Sequence, residues 1–329
     1  MPRDRFGREI DYLRISLTDH CNLRCVYCMP LSGVRYAPPA DLLDACEIER
    51  VAIAAARTGF RKIRLTGGEP TLRSDLVEIV GRLSQTPGIR EVALTTNGVL
   101  LAPLASELRR AGLRRVNVHV DSLDRSRVSR LMRGVAIGAI WEGIEAASAA
   151  GLEPIKLNCV VTRGYNEDDV VDLARLTLGR AWHVRFIELM PLGGGECAEI
   201  ARSRFVPTRE TRDRIEAELG GLAPLEPTHP SDESRNYRLP GARGVVGFIS
   251  PVSEPYCGGC NRMRLTADGR FHLCLLHDAE LDVRAALRRG ADAEEIGAIL
   301  RRAVHGKPTG HALERGATTS ERWMHHLGG

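Results

Sequence analysis

From Leu13 to about Leu189, short strand-forming runs alternate with longer stretches rich in alanine, leucine and arginine. That alternation predicts a parallel sheet whose strands are joined by crossover helices. The expected strands are Leu13 to Leu17, Lys62 to Thr66, Val92 to Thr96, Arg115 to Val120, Ile155 to Val161 and His183 to Leu189, giving six β/α units. Within them polar residues recur at every second position: Arg14 with Ser16, Arg64 with Thr66, Asn117 with His119 and Asp121, Lys156 with Asn158, Glu188 with Met190. Period two places each set on one face of its strand. In a barrel-like sheet covered outside by helices, such a face lines the interior, at the strand ends where α/β sites gather.

After Met190-Pro191 the glycines 193 to 195 break the pattern. A helix is expected from Thr208 to Leu219, followed by a loop rich in Pro, Ser and Asp up to Pro240. A second unit begins near Val245, with helices from Asp282 to Arg289 and from Ala293 to Val304. The ending is polar and expected to be extended. The division of the chain is placed at 1–225, a β/α core, and 226–329, a C-terminal region.

Composition narrows the function classes. The chain has 329 residues and a formal net charge of +4, ordinary for a globular protein and too small and scattered for a duplex-binding surface. Nucleic acid is therefore not an expected partner, while an anionic small molecule is. No apolar run reaches the length of a membrane span and the amino terminus has no export signal, so a cytoplasmic protein without a membrane partner is expected. Nine cysteines in such a chain point to metal binding or catalysis rather than disulfides.

Cys21, Cys25 and Cys28 follow the first expected strand, and Cys257, Cys260 and Cys274 lie near the other end. Structural zinc takes four protein ligands, whereas a four-iron cluster held by three thiolates keeps one iron open. His20 beside the first trio reads as a solvated or satisfied side chain. His272 or His277 could complete a zinc site at the second trio, and that alternative stays open on chemistry alone. Between the distal cysteines, Arg262 and Arg264 at alternate positions offer planar forks suited to a polyphosphate.

Cys-x3-Cys-x2-Cys after the first strand resembles the signature of the radical S-adenosylmethionine superfamily. Gly67-Gly68-Glu69-Pro70, after the second strand, is similar to that superfamily's motif for the methionine amino group. Glycines there let backbone approach a ligand closely. The resemblance implies a partial (β/α)6 TIM-like barrel and a [4Fe-4S] cluster that binds S-adenosylmethionine and generates a 5′-deoxyadenosyl radical. Cys-Gly-Gly-Cys-Asn-Arg-x-Arg-Leu-Thr, then Leu-Cys-Leu and a Gly-Gly terminus, resembles more narrowly the molybdenum-cofactor biosynthesis protein A family, the GTP 3′,8-cyclases. The match runs essentially the whole chain.

That resemblance implies a second [4Fe-4S] cluster on Cys257, Cys260 and Cys274 that binds guanine, with Arg14, Arg64, Thr95, Lys156, Arg262 and Arg264 contacting GTP. Tyr27, Gly68 and Met190 would contact S-adenosylmethionine, and His119 stands where the family usually has serine. The tail, Gly328 and Gly329, would reach the active site, with Leu327 before it in place of the usual isoleucine. An external electron donor, a downstream cyclic pyranopterin monophosphate synthase and a monomer or homodimer are the implied partners and state. Cys46 and Cys159 are expected to be buried or half-buried, and Cys197 lies unassigned in a glycine-rich loop. Two other readings compete: a peptide-modifying radical enzyme with an auxiliary cluster, and a redox sensor or zinc-bearing nucleic-acid module. The first predicts more distal cysteines, and the second leaves Gly67 to Pro70 unexplained.

Overall fold

The computed structural model describes residues 1–31, 33–134, 136–227, 229–311, 313 and 322–328. The six expected strands form, each within one residue of the expected bounds: β1 (Tyr12–Ser16), β2 (Lys62–Thr66), β3 (Glu91–Thr96), β4 (Arg115–His119), β5 (Lys156–Val161) and β6 (His183–Glu188). They lie side by side in chain order and pair in parallel.

Helices α1 (Ala45–Thr58), α2 (Leu76–Gln85), α3 (Leu101–Arg110), α4 (Arg125–Met132), α5 (Ile137–Ala149) and α6 (Val170–Gly179) connect these strands. Their apolar stripes meet one face of the sheet. Leu13 and Ile15 of β1, Ile63 and Leu65 of β2 and Val116 and Val118 of β4 share a core with Ile48, Val51, Ile79 and Ile144. Helix α1 shows why its boundaries fall where they do. Asp44 accepts from the Glu47 amide while the Glu47 side chain accepts from the Asp44 amide, which caps two otherwise unpaired donors. Gly59 then ends the helix at φ 109°, a left-handed conformation that a side chain resists.

The C-terminal part extends this sheet at both edges. β9 (Val245–Ile249) pairs in parallel with β6, and β10 (Arg262–Leu265) pairs in parallel with β1, so eight parallel strands run from β10 to β9. β11 (Arg270–Cys274) and β12 (His277–Asp282) add antiparallel beyond β10, and β8 (Arg235–Arg238) and β7 (Ala223–Pro224) beyond β9. Strands from either side of residue 225 thus share one sheet. Its ladder is not closed between β9 and β10 among the described residues, and the segment joining them carries Cys257 and Cys260.

Several expectations are corrected. The glycine-rich stretch leads into α7 (Gly195–Ser203), and Cys197 is buried in that helix, its thiol 3.5 Å from the Val26 carbonyl. Cys46 is exposed, because α1 turns Ala45, Glu47 and Ile48 inward and leaves its second position on the outer face. Cys159 is buried as expected. α8 (Thr208–Leu219) matches its expected range, α9 (Arg284–Arg288) is shorter because Asp282 ends β12, and α10 (Ala293–His305) follows. Near the terminus Met324–Leu327 makes one helical turn, α11, rather than extended chain. Its Trp323 N–H is bonded by His326, which favours the turn.

Candidate active site

Parallel register stacks the polar strand positions into rows. Arg14 is level with Arg264 on one side and Arg64 on the other, so three guanidinium groups start from neighbouring strands at one height. Thr95, Asn117 and Lys156 make a second row, and His119, Asn158 and Arg185 a third. The strand ends and following loops enclose a cavity of about 270 Å³. All six cysteines of the two trios line it, together with Arg14, Arg64, Arg262, Arg264, Thr95, Tyr27, Gly68, His119 and Met190. Two sets of thiols more than two hundred residues apart in sequence therefore share one chamber. Lys156 does not line that wall. It sits two residues before Asn158 on the same strand face, where Arg185, Arg115 and Arg64 surround it.

The first cysteine loop is pinned to the barrel by backbone bonds, Arg24 to the Met132 carbonyl at 3.2 Å and Val26 to the Leu131 carbonyl at 3.0 Å. The glycine pair beside it is required by close packing. A Cβ on Gly67 would stand 2.6 Å from the Thr18 carbonyl oxygen, and one on Gly68 2.1 Å from that of His20. Glu69 is buried, and Oε1 accepts from the Thr71 amide at 3.0 Å and the Thr96 hydroxyl at 2.7 Å while Oε2 accepts from the Asn97 amide at 2.7 Å. The motif thus ties β2 and β3 to the cysteine loop and leaves Oε2 with spare accepting capacity.

Tyr27, His119 and Asp121 form a closed set. The Tyr27 hydroxyl donates to Asp121 Oδ2 at 2.6 Å, and His119 Nε2 lies 2.6 Å from that hydroxyl and 2.8 Å from the same carboxylate oxygen. Asp121 Oδ1 accepts from the Val160 amide at 2.8 Å. Burial works to lower the His119 pKa, but the adjoining Asp121 charge raises it overall.

At the distal trio the surroundings are cationic. Lys307 is buried and donates to the carbonyls of Arg262 and Leu273, both at 2.7 Å. Burial alone would raise Cys260, yet the Lys307 and Arg262 charges bring it below the ordinary thiol value. By contrast, burial pushes Cys21 in the first trio up to about 11. Arg8 reaches across from the amino terminus to bond the carbonyls of Cys257 and Thr309, each at 2.8 Å.

The donor set fits clusters held by three thiolates. His20 pairs with Asp19 at 2.9 Å and stacks on Tyr36, away from the cavity wall. His272 is bonded to Glu280 at 3.0 Å and His277 is exposed; neither lines the cavity. His311 does line it, but its Nε2 lies 2.7 Å from the Pro251 carbonyl and its Nδ1 accepts from Leu313. The zinc alternative thus finds no uncommitted fourth histidine on this wall among the described residues. Arg14 Nε, Thr66 Oγ1 and Asn117 Oδ1 are buried without a hydrogen-bond partner among the described residues, and all three residues line the cavity, as suits a polar ligand.

The tail reaches this place. Arg264 Nη1 donates to the Gly328 carbonyl at 2.7 Å, and a Cβ on Gly328 would lie 1.8 Å from Thr66 Oγ1. Gly329 lies outside the described residues.

Sequence reasoning missed Arg185 and Glu233. Arg185 is an arginine flanked by Val184 and Phe186 in the middle of β6, a signal that was available. Glu233, in a loop among serines and aspartate, carried none.

The family model of the radical SAM superfamily matches residues 15–177, and that of Molybdenum Cofactor Synthesis C matches residues 182–313. The chain is similar to a GTP 3′,8-cyclase of Pelotomaculum thermopropionicum, 49% identical, with 99% of this chain and 100% of that protein covered. A GTP 3′,8-cyclase of Moorella thermoacetica is 46% identical at the same coverage. Among solved structures, Streptococcus suis SuiB bound to S-adenosylmethionine shares the fold with a TM-score of 0.62 at 14% identity, covering 88% of this chain and 68% of that one. With identity of this extent over its whole length, the chain belongs to the GTP 3′,8-cyclase family of the radical SAM superfamily.

Proposed function

We propose that this protein is a GTP 3′,8-cyclase that makes 3′,8-cyclo-7,8-dihydro-GTP for molybdenum-cofactor synthesis. The observation that carries the reading is the meeting of both cysteine trios and a row of arginines on one cavity wall. In this reading Cys21, Cys25 and Cys28 hold the [4Fe-4S] cluster that binds S-adenosylmethionine, and Cys257, Cys260 and Cys274 hold a second one facing the guanine base. Held by those three thiolates and loaded with S-adenosylmethionine, the first cluster would supply the radical chemistry that removes the ribose 3′ hydrogen and lets C3′ bond to C8 of guanine.

The chain's own residues bind, orient and shield. Tyr27, Gly68, His119 and Met190 contact S-adenosylmethionine, and His119 keeps a hydrogen-bonding atom where serine is usual because Asp121 and Tyr27 fix its ring. Arg14, Arg64, Arg262 and Arg264 hold the triphosphate with Thr95, each charge-assisted bond contributing about 1.5 to 3 kcal/mol, and Lys156, set back from the wall, adds its charge. Burial and the neighbouring charges of Arg185, Arg115 and Arg64 pull Lys156 down to about 7, so a polyanion recharges it on binding. Gly328 admits backbone where a side chain would collide with Thr66. Residues 1–225 carry the radical-generating site and part of the GTP contacts, and 226–329 the second cysteine trio, Arg262, Arg264 and the tail. An external donor would supply one electron for cleavage of S-adenosylmethionine and a second, matched by a proton, for the ring-closed nucleotide; the product passes to a cyclic pyranopterin monophosphate synthase, and the chain acts as a monomer or homodimer in the cytoplasm. No described helix is long and apolar enough to cross a membrane.

Anaerobic incubation with GTP, S-adenosylmethionine and a reductant tests this. The expected result is 5′-deoxyadenosine together with a cyclised nucleotide. Deoxyadenosine formation indifferent to GTP would overturn it.

A further inference from the structure

Glu233 lies in the irregular segment between β7 and β8, yet its side chain is only 15% exposed. Oε2 accepts from Arg14 Nη2 at 2.7 Å and stands 3.0 Å from Arg262 Nε, while Oε1 is 3.7 Å from Arg185 Nη1. The other acidic residues lining the cavity are committed elsewhere. Glu69 is bonded to Thr71, Thr96 and Asn97, and Glu188 to Thr208, Val252 and Ser253. Among the described residues, Glu233 is thus the carboxylate on this wall that faces the guanidinium groups.

Its two oxygens take positions that phosphate oxygens would take, since carboxylate and phosphate present the same acceptor pattern to an arginine fork. A polyphosphate that takes the Arg14 Nη2 and Arg262 Nε positions now facing Glu233 Oε2 has to displace this side chain. Among the described residues, the segment bearing Glu233 is held by few bonds ahead of β8. Ser231 O accepts from Arg262 Nη2 at 2.9 Å, and His229 and Asp232 bond one another. Ahead of β8, the segment is positioned by the Ser231 bond to Arg262 and by the Glu233 ion pairs, and the latter are what a polyphosphate would break.

We infer that Glu233 is a resident counter-anion of the phosphate subsite, holding Arg14, Arg185 and Arg262 in place and yielding only to a polyphosphate. This rests on the GTP reading for the identity of the nucleotide. Like charges packed this closely repel, and one carboxylate among them relieves the repulsion before substrate enters. In support, the arginines hold Glu233 well below the usual carboxylate range, so it is charged at every physiological pH. Displacing it costs every incoming anion the same free energy. A triphosphate, with several charge-assisted bonds, overcomes that cost, whereas single phosphate or sulfate ions do not, so the subsite stays clear of them.

The test uses the full chain, reconstituted anaerobically, with inorganic tripolyphosphate as the probe. Glu233→Gln is expected to bind tripolyphosphate about tenfold more tightly than wild type, and to be inhibited by sulfate at concentrations that leave wild type untouched. Unchanged or weaker tripolyphosphate binding would overturn the inference. Hydrogen exchange on the wild-type protein gives a second reading that needs no variant. Residues 229–234 should exchange faster once tripolyphosphate is added, and unchanged or slower exchange would count against displacement. The two readings separate cleanly. If ATP binds as tightly as GTP while Glu233→Gln still tightens tripolyphosphate, the nucleotide assignment fails and the counter-anion stands. If GTP is preferred but Glu233→Gln weakens it, the counter-anion fails and the nucleotide assignment stands.

Discussion

The guanidinium of Arg264 donates to the carbonyl of Gly328 at 2.7 Å, joining the last described residue of the chain to a strand of the barrel. Both partners are tightly placed, since Arg264 is buried on β10 and Gly328 leaves no room for a Cβ beside Thr66.

Gly328→Ala should therefore shift the tail out of its seat. A misplacement of about 1 Å near reacting groups costs on the order of 100-fold in rate. We expect kcat for the cyclised product to fall by about that factor with iron content unchanged, measured by single-turnover product analysis. A variant with normal turnover would mean the tail does not act here.

Replacing Cys257, Cys260 and Cys274 together by alanine should lower bound iron from about eight to about four per chain after anaerobic reconstitution. Iron analysis with Mössbauer spectroscopy reads this directly. Full iron retention would remove the distal cluster from the account.

Lys156 makes substrate binding depend on pH. Its value near 7 in the folded chain lies below the ordinary 10.5, so between those limits the unfolded chain carries a proton that the folded one lacks. By linkage, stability contributed through this group rises with pH across that window. Bound triphosphate favours the charged form, so GTP binding should take up a proton above pH 7 and weaken as pH rises. Calorimetry in buffers of different ionisation heat measures the uptake, and Lys156→Met should abolish it. Arg185 and Arg264, lowered by burial to about 9, stay charged at neutral pH and should not contribute there.

Glu188 ends β6 and accepts from the amides of Thr208, Val252 and Ser253 at 2.9, 3.0 and 2.9 Å. It thereby anchors the segment that leads to Cys257. Glu188→Ala strands these donors and should cost about 3 kcal/mol, lowering Tm by roughly 6 °C. Distal iron should be lost more readily than proximal iron, as paired melting and iron assays would reveal. Equal loss at both sites would show that the anchor is not specific.

Tyr27→Phe removes the hydroxyl shared by Asp121 and His119. The KM for S-adenosylmethionine should rise about tenfold, in line with one lost hydrogen bond to a charged group, while the KM for GTP should stay unchanged. A change in both would place Tyr27 between the two ligands rather than beside one.

Much of the barrel was legible because period-two patterning in β1 to β6 is a local property. Arg14, Arg64 and Asn158 fall on alternate positions whatever the rest of the chain does, and the cavity wall follows from that face. The trios were legible for the same reason, since spacing within a loop limits which thiols can converge. Strands β10 to β12 were not. Arg262–Leu265 is half arginine and four residues long, too short and polar to signal a strand, and its strand state depends on hydrogen bonds to β1, about 250 residues earlier.

By itself the sequence determined the β/α order, the two cysteine trios and the arginines available to a polyanion, all consequences of short-range periodicity and spacing. Tertiary structure alone decided that β9 and β10 extend the sheet at opposite edges, that both trios open onto one chamber, and that Glu233 sits among the arginines. Those outcomes depend on pairing energies between distant segments and on charges brought together only by folding, which no local pattern encodes.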